Sequence, residues 1–218
     1  MWVVSHSLNE IEAMCKRAAR GGGLSWGLCE EAAKGTRWLA AYGYPGPELL
    51  ADLLELNDQK PRAGVTPATL ENTWYAPAGR LCPITAGAAM SDSAVKMEND
   101  ETIVMRGVSQ PLLVVPFAAG AALRLGAAVS VTWGDVRLTT DGHRLCARGR
   151  RDDILAAHAV ELRCFAPTEM TTPAAPVMRA SVAEACWRRL GVFAQRTYAP
   201  ATDASRRLGA GAGLNDND

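Results

Sequence analysis

The sequence predicts an α+β fold, in which an N-terminal helical bundle packs with an antiparallel or mixed β-sheet and a C-terminal helix returns onto it. Helical periodicity dominates the first quarter of the chain, and alternating apolar and polar residues dominate the middle. No repeat of fixed period appears, and helices and strands segregate along the sequence, which favours α+β over a doubly wound sheet. With 218 residues and 48% hydrophobic content, the chain can bury a sizeable core as one integrated unit.

Residues 1–56 are predicted to form the helical bundle. Ser7 and Glu10 make a Ser-x-x-Glu capping box at the start of the first helix, and the glycines of RGGG (20–23) end that helix. Ser25 is expected to cap the second helix, and Pro47 suits the first turn of the third.

Residues 57–80 are predicted to be a long loop, because helical spacing gives way there to Pro, Gly, Thr and Asn. The segment LCPITAGAAMSD (81–92) is small and apolar. We interpret residues 82–92 as a loop that fits into a crowded place.

Residues 81–218 are predicted to form an α+β region. The predicted strands are TIVMRG, LLVV, AVSVTW, DVRLTT, HRLCARG and AVELRCFA, with a helix at FAAGAALRLG. Asp141 and Gly142 are a strong hairpin signal. Ser181 and Glu184 form a second capping box, which predicts a helix running to about Ala194.

Charge and hydropathy argue against two classes of partner, nucleic acid and membrane, although a local basic patch at Arg148, Arg150 and Arg151 is the alternative for nucleic acid. The formal net charge is zero, which leaves no cationic surplus for a nucleic-acid-binding face. The longest apolar stretch, 111–131, contains Pro116 and Arg124 and is not expected to span a membrane. The N-terminus lacks the basic region and long apolar run of a secretory signal, so we expect a cytoplasmic protein.

The six cysteines are scattered without a Cys-x-x-Cys pair, so the sequence predicts reduced thiols, most of them in the core, and no metal site. Cys82 is the candidate nucleophile, and it would need a histidine such as His143 to lower its pKa. The alternative is a buried structural thiol. No motif identifies a cofactor.

The C-terminal stretch RRLGAGAGLNDND (206–218) is the candidate anion-binding segment. Its arginines offer bidentate donors to a carboxylate or phosphate, and its glycines allow close approach to the backbone. The alternative is a frayed tail. The complete set of predicted ligand-binding residues is Arg206, Arg207, Gly209, Gly211, Gly213, Ser25, Arg80, Thr85 and Asp92.

The N-terminal segment, through SLNE at Ser7–Glu10 and LSWGLCEEA at Leu24–Ala32, resembles an uncharacterised bacterial family known as a domain of unknown function. The resemblance implies a cytoplasmic bacterial protein and carries over no catalytic residues. The paired N-terminal helices are also similar in amphipathic pattern to the start of malate/lactate-type dehydrogenases outside the Rossmann class, although no matching catalytic histidine motif is present.

Two functional hypotheses follow. In the first, the protein binds or transforms a small anionic metabolite in a pocket between the helical part and the sheet. In the second, it is a non-catalytic interaction or assembly protein that uses residues 57–80 and the glycine-rich C-terminus as contact surfaces. A homo-oligomer is compatible with either hypothesis.

Overall fold

The computed structural model describes residues 3–98, 101–166 and 168–198. The chain opens with strand β1, Val3–Ser7, and continues through helices α1, Leu8–Gly21, α2, Trp26–Ala41, and α3, Gly46–Asn57. The predicted capping box is present: the Ser7 hydroxyl accepts a hydrogen bond from the Glu10 amide, and the Glu10 carboxylate accepts one from the Ser7 amide at 2.7 Å. Ser25 is the N-cap of α2, but its side chain makes no capping hydrogen bond.

The middle of the chain alternates short helices with strands. In order, these elements are a 3₁₀ turn at Arg62–Gly64, β2 at Thr73–Trp74, α4 at Pro83–Asp92, α5 at Val95–Glu98, β3 at Ile103–Ser109, a 3₁₀ turn at Pro111–Val114, α6 at Val115–Leu125, β4 at Val129–Trp133, β5 at Val136–Thr140, β6 at Leu145–Arg148, α7 at Arg151–Ile154 and β7 at His158–Phe165. As predicted, α6 ends at Gly126, which adopts the left-handed conformation.

Six strands form a mixed sheet in the order β2-β3-β7-β4-β5-β6. β2 runs parallel to β3, and the other neighbours are antiparallel. The β5–β6 hairpin closes around the Asp141-Gly142 dipeptide, with Thr140 opposite Leu145. Helices α4 and α6 pack on the sheet, and one sheet face carries mostly polar and charged side chains, among them Arg106, Glu161, Arg163, Arg137 and Arg148.

A second, two-stranded sheet pairs β1 with β8, Arg179–Ala183, and helix α8, Glu184–Gln195, follows directly. α8 packs against α1 and α3. Helices and sheet share one hydrophobic core, which contains five of the six cysteines; all six, including Cys146 outside that core, are free and buried. The fold is therefore α+β, as the sequence predicted. No helix in the described part of the chain combines the length and apolarity needed to cross a bilayer.

Two predictions in the middle of the chain are wrong. LLVV is a 3₁₀ turn that continues into α6, because Gln110 reverses the chain in the left-handed conformation and Pro111 then starts a helical turn. Residues 82–92 are not a loop: they contain α4, which is buried on most sides. The segment is nevertheless closely packed, as expected, since a Cβ at Gly87 would collide with the ring of Phe117.

Two further differences lie near the chain ends. Ser181 does not cap a helix, since it pairs with Ser5 within the β1–β8 sheet, and α8 begins at Glu184 after the N-cap Ala183. β1 itself was not predicted, because it runs directly into the capping box at Ser7 without a turn signal between them. Within the predicted loop 57–80, Trp74 is only 1% exposed and adds β2 to the sheet.

Candidate functional site

A cavity of about 300 Å³ opens where α1, α3 and α8 end and α4 begins, and we call it the helix-end cavity. Its lining residues are Gly21, Gly22, Gly23, Leu24, Leu53, Leu54, Asn57, Asp58, Gln59, Lys60, Arg62, Val65, Thr66, Cys82, Thr85 and Arg196. These residues belong to helices and their connections, so the cavity lies at one end of the helical layer rather than between the helices and the sheet.

Packing explains the glycine run that forms one wall. A Cβ on Gly21 would collide with the carbonyl oxygen of Phe193 in α8, and a Cβ on Gly22 would lie 2.6 Å from a methyl carbon of Leu54. Gly23 has a φ of +86°, a conformation that favours glycine. The amides of Gly22 and Gly23 donate to carbonyls in the last turn of α1. These amides are therefore already used and do not form an anion site.

Three cationic side chains and one carboxylate line the cavity. Arg196 donates to both oxygens of Asp58, at 2.6 and 3.0 Å, and this pairing holds the pKa of Asp58 below its usual value. Lys60 donates to a backbone carbonyl of α3. Arg62 forms no ion pair within the described residues, and its Nη2 lies 3.4 Å from the position of a Cβ on Gly23. The cavity therefore carries a surplus of positive charge.

The opposite wall is apolar. Leu24, Leu53, Leu54 and Val65 all line the cavity and are all buried. An organic anion placed here would bury its apolar part against these side chains and keep its charged end near Arg62. The cavity therefore suits an amphipathic small molecule better than a bare inorganic ion.

The start of α4 contributes its N-cap, Cys82, and Thr85 of its first turn. Pro83 occupies this turn without an N–H group to donate, and the Thr85 hydroxyl donates to the Cys82 carbonyl at 3.2 Å. Burial raises the pKa of the Cys82 thiol, and the amides of Thr85 and Ile84 offset this only in part. Cys82 is therefore a neutral, buried thiol.

His143 and Cys82 line different cavities. His143 lines a separate groove of about 420 Å³ with Trp38 and Tyr42, and the Tyr42 hydroxyl donates to the His143 carbonyl at 2.6 Å. None of the described residues that line the helix-end cavity is a histidine. The geometry thus favours the alternative interpretation of Cys82, a structural thiol.

Of the other predicted binding residues, Thr85 alone lines the helix-end cavity among those that the structure describes. Ser25 is exposed at the start of α2, and Arg80 lies in the connection before α4. Asp92, at the end of α4, faces Arg124 of α6 at 3.7 Å. These three residues do not converge on one site.

The predicted C-terminal anion site lies outside the described residues. It comprises Arg206, Arg207, Gly209, Gly211 and Gly213. Its role in binding stays a prediction.

Sequence reasoning missed the three cations of the cavity, Lys60, Arg62 and Arg196. Arg62 follows a proline in a stretch that reads as a loop, and Arg196 meets Asp58 across 138 positions of sequence. Only the packing of α8 against α3 brings that pair together. Within the described ranges, no three His, Cys, Asp or Glu side chains are grouped so that they could hold a metal ion.

Comparisons with known proteins find a family model that matches the N-terminal part of the chain. No curated protein matches the sequence significantly. A crystal structure of malate dehydrogenase from Entamoeba histolytica is similar with a TM-score of 0.43 and 11% identity, over 67% of this chain and 45% of that one. The chain thus spans less than half the length of that dehydrogenase. Residues 6–82 match the family model described as "Protein of unknown function (DUF3726)", which confirms the predicted domain of unknown function.

Proposed function

We propose that the protein binds a small organic carboxylate in the helix-end cavity. One observation carries the proposal: buried leucine and valine side chains face a surplus of cationic side chains across a space of about 300 Å³. This volume lies at the lower end of the range for small-molecule sites, which are mostly apolar with a few placed polar groups.

Arg62 is the residue proposed to hold the carboxylate. Its guanidinium has no carboxylate partner within the described residues, whereas Arg196 is engaged by Asp58. A planar guanidinium matches a carboxylate with two parallel hydrogen bonds. Thr66 and Thr85 also line the cavity, but their hydroxyls already donate to the backbone carbonyls of Arg62 and Cys82, which leaves the guanidinium of Arg62 as the proposed donor to the carboxylate.

The test is a calorimetric titration with straight-chain carboxylates from acetate to hexanoate at constant ionic strength. Because each buried methylene contributes about 0.8 kcal/mol, affinity is expected to rise about fourfold per carbon until the cavity is full. Hexanamide serves as the neutral ligand of the same shape, and it is expected to bind less tightly than hexanoate.

Two variants locate the site. Arg62→Gln is expected to weaken hexanoate binding about tenfold, since a hydrogen bond to a charged group contributes about 1.5 kcal/mol, and to leave hexanamide unchanged. Arg188→Gln removes an exposed cation of α8 outside the cavity and is expected to change neither ligand. Affinity that is independent of chain length, or equal loss in both variants, would contradict the proposal.

We also propose a cytoplasmic location. All six cysteines are free and buried in the fold, a pattern typical of proteins in reducing compartments. Fractionation of cells that express the full chain, with a cytosolic marker, tests this location.

A further inference from the structure

Two arginines stand directly opposite each other on the polar face of the sheet. Arg137 of β5 and Arg148 of β6 are cross-strand partners, and both line a second cavity of about 350 Å³, the sheet-face cavity. The other lining residues are Thr139, Cys146, Thr168, Glu169 and Thr171. Like charges directly opposite on antiparallel strands repel each other and destabilise the pairing.

Neither arginine is neutralised within the described residues. The guanidinium of Arg137 lies over the ring of Phe165, with its carbon 5.5 Å from the ring centroid. Arg148 donates through Nη2 to the Thr171 hydroxyl at 3.1 Å. Glu169 lines the same cavity, but its carboxylate forms no ion pair with either arginine in this part of the chain. Two unpaired cations thus converge on one space.

Buried hydroxyl groups continue the polar wall of this cavity. Ser130, fully buried in β4, lies 2.7 Å from the hydroxyl of Thr139, which is only 4% exposed. Ser130 in turn donates to the Thr168 hydroxyl at 3.3 Å. A serine has one proton to donate, so Thr139 donates to Ser130, and the proton of Thr168 is left without an acceptor in this chain of hydroxyls.

The donors that remain are therefore two guanidinium groups and the hydroxyls of Thr168 and Thr171. A phosphate group offers three strongly accepting oxygens and up to two negative charges, which matches this number of donors better than a carboxylate does. The cavity volume of about 350 Å³ exceeds what a bare phosphate needs. The remaining space accommodates a polar organic body.

We propose that the sheet-face cavity binds a small phosphomonoester, with Arg137 and Arg148 on its phosphate oxygens. This site is separate from the helix-end cavity, with which it shares no lining residue, and does not depend on the function proposed there.

The test is calorimetry at constant ionic strength with four probes: glycerol 3-phosphate, inorganic phosphate, acetate and glycerol. Glycerol 3-phosphate is expected to bind at least about tenfold more tightly than acetate, because the second charge and third oxygen engage both arginines. Tighter binding of the ester than of inorganic phosphate indicates that the organic body contributes, and the reverse order indicates a site for free phosphate. Equal binding of glycerol 3-phosphate and acetate overturns the proposal.

Matched variants assign the binding to this cavity. Arg137→Gln and Arg148→Gln are each expected to weaken glycerol 3-phosphate binding about tenfold. Arg163→Gln is the control, because Arg163 lies on the same sheet face but pairs with Glu161 at 2.8 Å. Arg62→Gln is expected to leave phosphate binding unchanged. Phosphate binding that is lost in Arg62→Gln and retained in Arg137→Gln overturns this inference while leaving the helix-end cavity as a ligand site.

A second readout does not require ligand titration. In a buffer without multivalent anions, Arg137→Gln is expected to raise the melting temperature relative to Arg163→Gln, because it removes the repulsion across the hairpin. Phosphate is then expected to raise the melting temperature of the wild type more than that of Arg137→Gln. A lower melting temperature for Arg137→Gln in both buffers contradicts the inferred repulsion.

Discussion

The helix-end cavity and the sheet-face cavity differ in how far packing and ion pairing within the protein explain the residues that line them. In the helix-end cavity, packing explains the glycines, and Asp58 neutralises one of the arginines. In the sheet-face cavity, two arginines oppose each other and no carboxylate within the described residues pairs with them. A residue that the fold itself requires says little about a ligand, whereas a charge arrangement that costs stability without a ligand says more.

The two cavities also differ in polarity. Buried leucine and valine side chains line the first, while threonine, arginine and glutamate side chains dominate the second. This difference separates the proposed ligands, an organic carboxylate with an apolar body and a phosphomonoester. If packing determines the residues of the first cavity and unpaired charge marks the second as a binding site, variants should change stability and binding as follows, from the largest expected effect to the smallest.

The largest effect is expected from Gly21→Ala. The new Cβ would collide with a backbone carbonyl of α8, which cannot move without shifting the helix, so the free energy of unfolding is expected to fall by about 3 kcal/mol. Urea denaturation measures this change. Gly27→Ala is the matched control: its Cβ would meet nothing within 4 Å, and a helical alanine is expected to be neutral or slightly stabilising. Wild-type stability in Gly21→Ala would show that this glycine serves something other than packing.

Gly87→Ala is expected to cost about 2 kcal/mol, because the new Cβ would overlap the Phe117 ring between α4 and α6. The cost should shrink in a Phe117→Leu background, where the smaller side chain leaves room. A double-mutant cycle by urea denaturation measures this coupling. If the free-energy changes of Gly87→Ala and Phe117→Leu were additive, contact with α6 would not be the reason for the glycine in α4.

On the sheet, Ser130→Ala is expected to destabilise the protein by about 1 kcal/mol, because the buried Thr139 hydroxyl loses its partner. It is also expected to weaken glycerol 3-phosphate binding, since the Thr168 hydroxyl loses the donor that fixes its direction. Thr132→Ala, at the next position on the same face of β4, is the control for both measurements. Reduced stability with unchanged phosphate affinity would remove the hydroxyl chain from the proposed site.

Local signals made some of the helix ends predictable. The capping box of α1, the proline of α3 and the glycine after α6 act within one helical turn, so the sequence carries them directly. α4 was missed because burial on most sides removes the polar face on which periodicity depends. The run LLVV is apolar and buried, which suits a strand as well as a helical turn. The left-handed conformation of Gln110 and the proline at 111 favour the helical turn.

The two cavities were predictable to different degrees. The opposed arginines follow from the hairpin register, which the Asp141-Gly142 turn fixes four residues away from Arg137. The pair of Asp58 and Arg196 depends on tertiary packing between α3 and α8, for which no local pattern exists. The sequence alone pointed to Thr85 and Cys82 as candidate site residues, but it did not point to the cations around them.

The smallest effect is a pH dependence at the helix-end cavity. The hydrogen bonds from Arg196 hold the pKa of Asp58 below its unfolded-state value of about 4. A carboxyl whose folded pKa is lowered stabilises the fold above the unfolded pKa, and this contribution is lost as the pH falls through the folded pKa. The stability difference between wild type and Arg196→Gln is therefore expected to be fully present near about pH 7 and to be lost in acid, as the pH falls through the lowered pKa of Asp58.

Urea denaturation across this range measures the difference, with Arg188→Gln as a variant whose effect should not depend on pH. A constant difference for Arg196→Gln would mean that Asp58 does not hold Arg196, which would then be as free as Arg62 to meet a ligand. In that case both cavities would contain unpaired arginines, and polarity alone would distinguish them. A difference that disappears in acid keeps Arg62 as the arginine available for a carboxylate in the helix-end cavity.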